Sequence, residues 1–216
     1  MFSLELFYQD YETETNEVVV KDRKFQILLP RSLTGFINTH DVFNEFPLWA
    51  KIWRASWVLA DYLAAMPVSA KRNFLELGAG VGLVSIVATS FGHRITMSEY
   101  NYDALQFARA NALLNDCPKL PVVELDWNRP QPPGRYDCIV ASEVTYKKED
   151  CRPLVNILNA CLKPKGEVIL AAEMRKSSMD FYKELANLFN IKVQKKVLRS
   201  DDEEIGIYFF RMTLKG

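Results

Sequence analysis

The sequence predicts an α/β protein: a doubly wound, mostly parallel sheet with helices on both faces and an antiparallel last strand. Three observations carry that expectation. Residues 73–91 read as strand, glycine turn and helix. Phe74, Leu75 and Leu77 lead into Gly78-Ala79-Gly80-Val81-Gly82, and apolar residues resume with helical spacing at Leu83, Val84, Ile86 and Val87. From there to residue 189, short apolar runs alternate with helical segments, as parallel strands joined by crossover helices do. Finally, 191–198 and 205–214 are strand-like runs separated only by Arg199-Ser200-Asp201-Asp202-Glu203-Glu204. No helix fits between them, so they pair antiparallel.

The elements follow in order. Glu17-Val18-Val19-Val20 and Phe25-Gln26-Ile27-Leu28-Leu29, joined by residues 21–24, predict a β-hairpin. Residues 31–46 have turn residues and no period, and read as a loop over one end of the sheet. Residues 47–66 predict an amphipathic helix. Pro47 suits its first turn, Trp49, Trp53, Trp57 and Ala60 share one face, and Ile52, Leu59 and Leu63 lie nearby. Strands are expected at 73–77, 94–99, 121–125, 136–142 and 167–173, with helices over about 81–91, 101–115, 150–162 and 177–189 between and after them. Pro164-Lys165-Gly166 marks the end of the third of these helices.

Composition narrows the function classes. At 216 residues and 49% hydrophobic, the chain suits one domain with additions: an extension over residues 1–46 and a main domain over 47–216. Lys plus Arg and Asp plus Glu are 27 each, so the net charge is zero and there is no general attraction to nucleic acid or anionic membrane. Cys117, Cys138, Cys151 and Cys161 form no CxxC pair and read as reduced thiols of a cytoplasmic protein. With only His40 and His93, no histidine-based metal site is expected. Met1 to Tyr11 has no signal-peptide pattern, and no apolar run reaches membrane-spanning length. A monomer is expected.

Ligands of open α/β sheets bind beyond the carboxyl ends of the strands. Here those ends carry Gly78, Glu99, Asp126-Trp127 and Ser142-Glu143. The glycine turn offers bare backbone and a helix N-terminus with free N–H groups. Glu99, 23 residues after Glu76, is placed to accept hydrogen bonds from a ribose diol. A dinucleotide fold wants glycine at the first, third and sixth positions of the turn, but the sixth position here is Leu83. Glycines at first, third and fifth, preceded by Glu76, resemble motif I of the S-adenosylmethionine (SAM) methyltransferases.

The resemblance narrows further along the chain. Glu143-Val144-Thr145-Tyr146 after strand 136–142 resembles the (D/E)-x-x-Y motif of methyltransferase family 16, the seven-strand protein lysine methyltransferases. Asp126-Trp127 and the segment Ile52-Trp53-Arg54-Ala55 are similar to that family too, with Arg54 where its L-W-P usually has proline. Ser142 stands where the family often has alanine and Glu143 where it often has aspartate. The resemblance covers roughly residues 46–175. It implies a Rossmann-like seven-stranded methyltransferase sheet with an antiparallel last strand, here preceded by a β-hairpin extension.

It also implies SAM as cofactor, contacted by Trp53, Gly78, Gly80, Glu99, Trp127 and Ser142, and Glu76, Ala79, Gly82, Tyr100 and Asp126 beside them complete the expected cofactor site. Asp126 is expected to accept from the adenine amino group and Trp127 to stack on the ring. Glu143 and Tyr146 are the expected catalytic pair, the first orienting an incoming ammonium and the second walling the channel. The implied partner is a protein carrying the acceptor lysine. The N/D-P-P-Y/F segment of nucleic-acid amino methyltransferases and the Pro-Cys pair of cytosine-C5 enzymes are both absent. A small-molecule methyltransferase and a non-catalytic scaffold of the same fold remain alternatives.

Overall fold

A computed structural model of the protein describes residues 2–37, 46–144, 149–174, 179–199 and 204–215. The chain opens with a short helix α1 (Leu4–Asp10) and the strands β1 (Thr13–Val20) and β2 (Arg23–Pro30). Helix α2 (Arg54–Ala64) leads into the alternating part: β3 (Asn73–Leu77), α3 (Leu83–Ser90), β4 (Arg94–Glu99), α4 (Tyr102–Leu114) and β5 (Val122–Glu124). After it come β6 (Tyr136–Ser142), α5 (Cys151–Cys161), β7 (Leu162–Glu173), α6 (Met179–Leu188), β8 (Phe189–Arg199) and β9 (Glu204–Leu214).

Seven strands form one sheet in the order β5-β4-β3-β6-β7-β9-β8. The pairs from β5 to β7 are parallel, and β9 lies antiparallel between β7 and β8. The expected antiparallel ending is therefore present. Alternation along the strands divides the core in two. Phe74, Cys138, Val140, Ile169 and Ala171 face α2, α3, α4 and the hairpin. Leu75, Leu77, Ile139, Ala141, Val168 and Leu170 face α5 and α6. The strand order reverses at β3, which has β4 on one side and β6 on the other, so the crevice for a ligand opens above these strands' carboxyl ends.

The hairpin is longer than its apolar run suggested, and its turn tightens to Lys21 and Asp22, with Lys21 at φ 53°. Its outer edges are satisfied by side chains. Asn111 accepts from Leu28 N at 2.7 Å and donates to Leu28 O at 3.2 Å. Asn115 does the same for Gln26, at 2.9 and 2.7 Å. One turn apart, on α4 and at its C-terminal cap, the two amides meet alternate residues of β2 as a third strand would. On the other strand, the indole of Trp57 donates to Val19 O at 2.9 Å.

The largest departure from expectation is at 47–53. The helix there begins only at Arg54, and Trp53 precedes it in an extended conformation (φ −81°, ψ 145°). Ala50 N donates to Pro47 O at 3.0 Å and the Trp53 indole to Leu48 O at 2.9 Å, which folds the segment into a turn. Apolar spacing compatible with a helix is equally served by a strip that packs against one surface. Helix α1 was not expected; its seven residues are too few for a periodic signal, and it is held by Ser3 accepting from Leu6 N and by Phe7 in the core. Strand β7 begins at Leu162, directly after α5, because the chain is already extended through Pro164.

Candidate functional site: a cavity at the carboxyl ends of β3, β4 and β6

The glycine loop is built by backbone conformations that side chains disfavour. Gly78, Gly80 and Gly82 have φ of 63°, 53° and 90°, a region that costs other L-residues about 1–2 kcal/mol. The loop is closed by Ala79 N donating to Ser98 O at 3.0 Å and Gly82 N donating to Ala79 O at 2.9 Å. A Cβ at Gly78 would stand 3.1 Å from Val144 and 3.3 Å from the Trp127 ring. At Gly80 it would meet the carbonyl oxygen of Trp49 at 3.2 Å, and at Gly82 the Met97 methyl at 2.7 Å. The absence of side chains thus lets the loop fit its own protein surroundings as well as any ligand.

Glu99 ends β4 almost fully buried and organises the loop opposite it. One carboxylate oxygen accepts from Gly80 N at 2.9 Å, the other from Tyr100 N at 2.8 Å and Asn101 N at 3.2 Å. Desolvation pushes its pKa up, against these hydrogen bonds. Asn101 caps α4 by accepting from Ala104 N. After β5, Asp126 accepts from Asn128 N at 2.8 Å, a turn that presents Trp127 beneath the glycine loop.

At the end of β6, Ser142 and Ser56 of α2 share a hydroxyl hydrogen bond at 2.9 Å. Glu143 follows in the left-handed region at φ 51°, uncommon for a residue with a side chain and characteristic of functional sites. It is held there by its N–H donating to Ala171 O at 3.0 Å and by its carboxylate accepting from Glu173 N at 2.7 Å.

These groups surround one cavity of about 590 Å³, within the range of small-ligand sites. Of the expected residues, Trp53, Gly78, Ala79, Gly80, Glu99, Tyr100, Asp126, Trp127, Ser142 and Glu143 line it. Glu76 and Gly82 lie outside the lining. Glu76 instead accepts from the backbone N–H and the hydroxyl of Ser85 in the first turn of α3. Burial first of all, and Glu99 secondarily, push its pKa up to about 8. Tyr146 lies outside the described residues, as do residues 38–45 of the expected loop. Phe36, Trp49, Lys51 and Ser56 also line the cavity. The sequence assigned these four no individual role, because it read Phe36 into an aperiodic loop over 31–46 and the other three into one helix over 47–66 packed on the sheet.

The lining fits SAM. The left-handed glycine turn leaves backbone open beside the N-terminus of α3, the Glu99 carboxylate lies at the end of the second strand of the site, and an indole lies under the loop. Among the described residues, no group of three or more His, Cys, Asp or Glu is placed to hold a metal ion, and no helix is long and apolar enough to cross a membrane.

Comparison with known proteins agrees. The profile of the lysine methyltransferase family matches residues 44–188. The chain is 30% identical over 181 residues to mouse (Mus musculus) protein N-lysine methyltransferase METTL21A, covering 80% of this chain and 81% of that one. It is 28% identical over 167 residues to EEF1A lysine methyltransferase 3 of Xenopus tropicalis, covering 74% and 73%. In fold it is similar to the precorrin-6y C5,15-methyltransferase of Geobacter metallireducens, with a TM-score of 0.57 at 16% identity over 74% of this chain and 87% of that one. Glycine loop, strand-end carboxylate, antiparallel closing strands and family match converge: the chain belongs to the lysine methyltransferase family and is a SAM-dependent methyltransferase.

Proposed function

We propose that the protein transfers a methyl group from SAM to the ε-amino group of a lysine in a protein substrate, with Glu143 acting on the acceptor. The observation that carries this reading is Glu143 itself: a buried carboxylate, in a strained backbone conformation, on the wall of the cavity that also holds the glycine loop. When bound, SAM supplies an electrophilic methyl on a sulfonium. The chain's own residues have the remaining tasks. Glu99, Trp127 and Asp126 hold the nucleoside half, the first by hydrogen bonds to the ribose and the second by stacking. Trp53, the loop and Ser142 flank the methionine half.

A lysine approaches the site as an ammonium and must give a proton to solvent water before its lone pair can attack. The apolar walls provided by Pro47, Ile52 and Trp53 favour the neutral amine by withholding water. The carboxylate of Glu143 orients the incoming nitrogen along the line of attack, and alignment at near-contact distance is the main catalytic requirement. EEF1A, after which the similar EEF1A lysine methyltransferase 3 is named, is the first substrate to test. A cytoplasmic location is part of the proposal, supported by four buried cysteines that form no disulfide with one another.

The test has two parts. Mass spectrometry of protein substrates incubated with the enzyme and isotopically labelled SAM should find the label on lysine side chains. Glu143→Gln keeps an oxygen that can accept from Glu173 N and removes the charge. It should leave SAM affinity within about two-fold and cut turnover by about a hundred-fold, the pattern of an interaction made only in the transition state. Full turnover in that variant takes Glu143 out of the mechanism. Label found only on small metabolites overturns the lysine assignment.

A further inference from the structure

Charges around the cavity are one-sided. Glu99, Asp126, Glu143 and Asp150 line it, against a single cation among the described residues, Lys51. Lys51 is exposed, and its ammonium lies 4.6 Å from the centroid of the Trp53 ring, within cation–π range. That ring is fixed in turn by its hydrogen bond to Leu48 O at 2.9 Å. Two residues before Lys51, the carbonyl oxygen of Trp49 stands 3.2 Å from where a Cβ of Gly80 would be. Lys51 therefore rides on a folded strip laid over the middle of the glycine loop.

SAM carries one anionic group, the α-carboxylate of its methionine part, beside two cationic ones. Glu99 and Asp126 serve the nucleoside and Glu143 the acceptor, which leaves the carboxylate to be matched by a cation near the loop. We propose that Lys51 receives the α-carboxylate of the cofactor, its ammonium stationed at the rim by the face of Trp53. The inference rests on SAM as the cofactor. It explains why a strip otherwise devoted to apolar packing carries a lysine at this position.

Lys51→Met keeps the apolar stem over Trp53 and removes the charge, and at an exposed position it leaves the fold intact. The experiment is calorimetric titration of wild type, Lys51→Met and Lys51→Arg with S-adenosylhomocysteine and with 5′-methylthioadenosine, which lacks the carboxylate. In Lys51→Met, S-adenosylhomocysteine should bind about ten-fold more weakly, the loss of one charge-assisted hydrogen bond. 5′-Methylthioadenosine should bind unchanged. Lys51→Arg should restore most of the lost affinity. Equal weakening of both ligands in Lys51→Met, or no weakening of either, overturns the role of Lys51 and leaves the cofactor standing. A wild-type protein that binds neither ligand removes the cofactor reading, and this inference with it.

Discussion

Glu76 lies beneath the glycine loop with its carboxylate turned to Ser85, and burial raises its pKa from an ordinary 4.5 to about 8. The consequence for stability has a definite sign. An acid whose pKa is higher folded than unfolded takes up a proton on folding, so its contribution is fully present below the unfolded value. It is lost as pH rises toward the folded one. Glu76 therefore makes the protein less stable as pH climbs from about 4.5 to about 8. Glu76→Gln, which can still accept from Ser85, should flatten that part of the profile. The check is the urea midpoint of both proteins between about pH 5 and pH 9; parallel curves would show that Glu76 does not titrate in this window. The same burial acts on the thiols: Cys138 is pushed up to about 12 and Cys161 to about 11, and such thiols are chemically quiet.

Among the elements, α4 has two jobs on one helix. Its N-terminus is capped by Asn101, two residues after Glu99, so it begins at the cavity. Ten residues after that cap, Asn111 reaches across to the hairpin and also donates to Val81 O at 2.9 Å, within the glycine turn. Asn111 thus couples β2 to the loop through three buried hydrogen bonds. Asn111→Ala leaves Leu28 N, Leu28 O and Val81 O without that partner, and should cost about 3 kcal/mol in urea unfolding. A loss below about 1 kcal/mol would mean that these backbone groups find other partners or water.

For the molecule as a whole, the question is whether residues 1–46 form an accessory to the sheet or a part of it. Phe7, Val18, Val20, Phe25, Ile27 and Leu28 belong to the same buried cluster as Phe74, Cys138 and Ile169 of the central strands. Lys21 and Lys196 meet on Asp61 at 2.8 and 3.1 Å, joining hairpin, α2 and β8. A protein truncated to 47–216 would expose one face of its core. It should lose the single cooperative transition expected of the full chain in calorimetry. A sharp, reversible transition in the truncated protein would identify residues 1–46 as a separable extension.

The strands of the central sheet were legible because their information is local. The bounds 73–77, 94–99 and 136–142 coincide with β3, β4 and β6, since period-two apolar runs ended by glycine or acidic residues need only neighbours in sequence. The antiparallel closing pair was legible for the same reason, through a turn too short to hold a helix. The site was legible wherever it is made by strand ends: Gly78, Glu99, Trp127 and Ser142 fall at the crevice because the topology brings every such end to one edge.

Tertiary structure alone decided which apolar strip is helical and which is a folded cover, so Trp49, Lys51 and Trp53 came to the cavity from outside α2. It also turned Glu76 toward Ser85 and away from the cavity, and paired Ser56 with Ser142 across 86 positions of chain. Periodicity records that a residue faces something apolar or polar. What it faces is set by contacts between segments far apart in sequence, and those exist only once the sheet has formed.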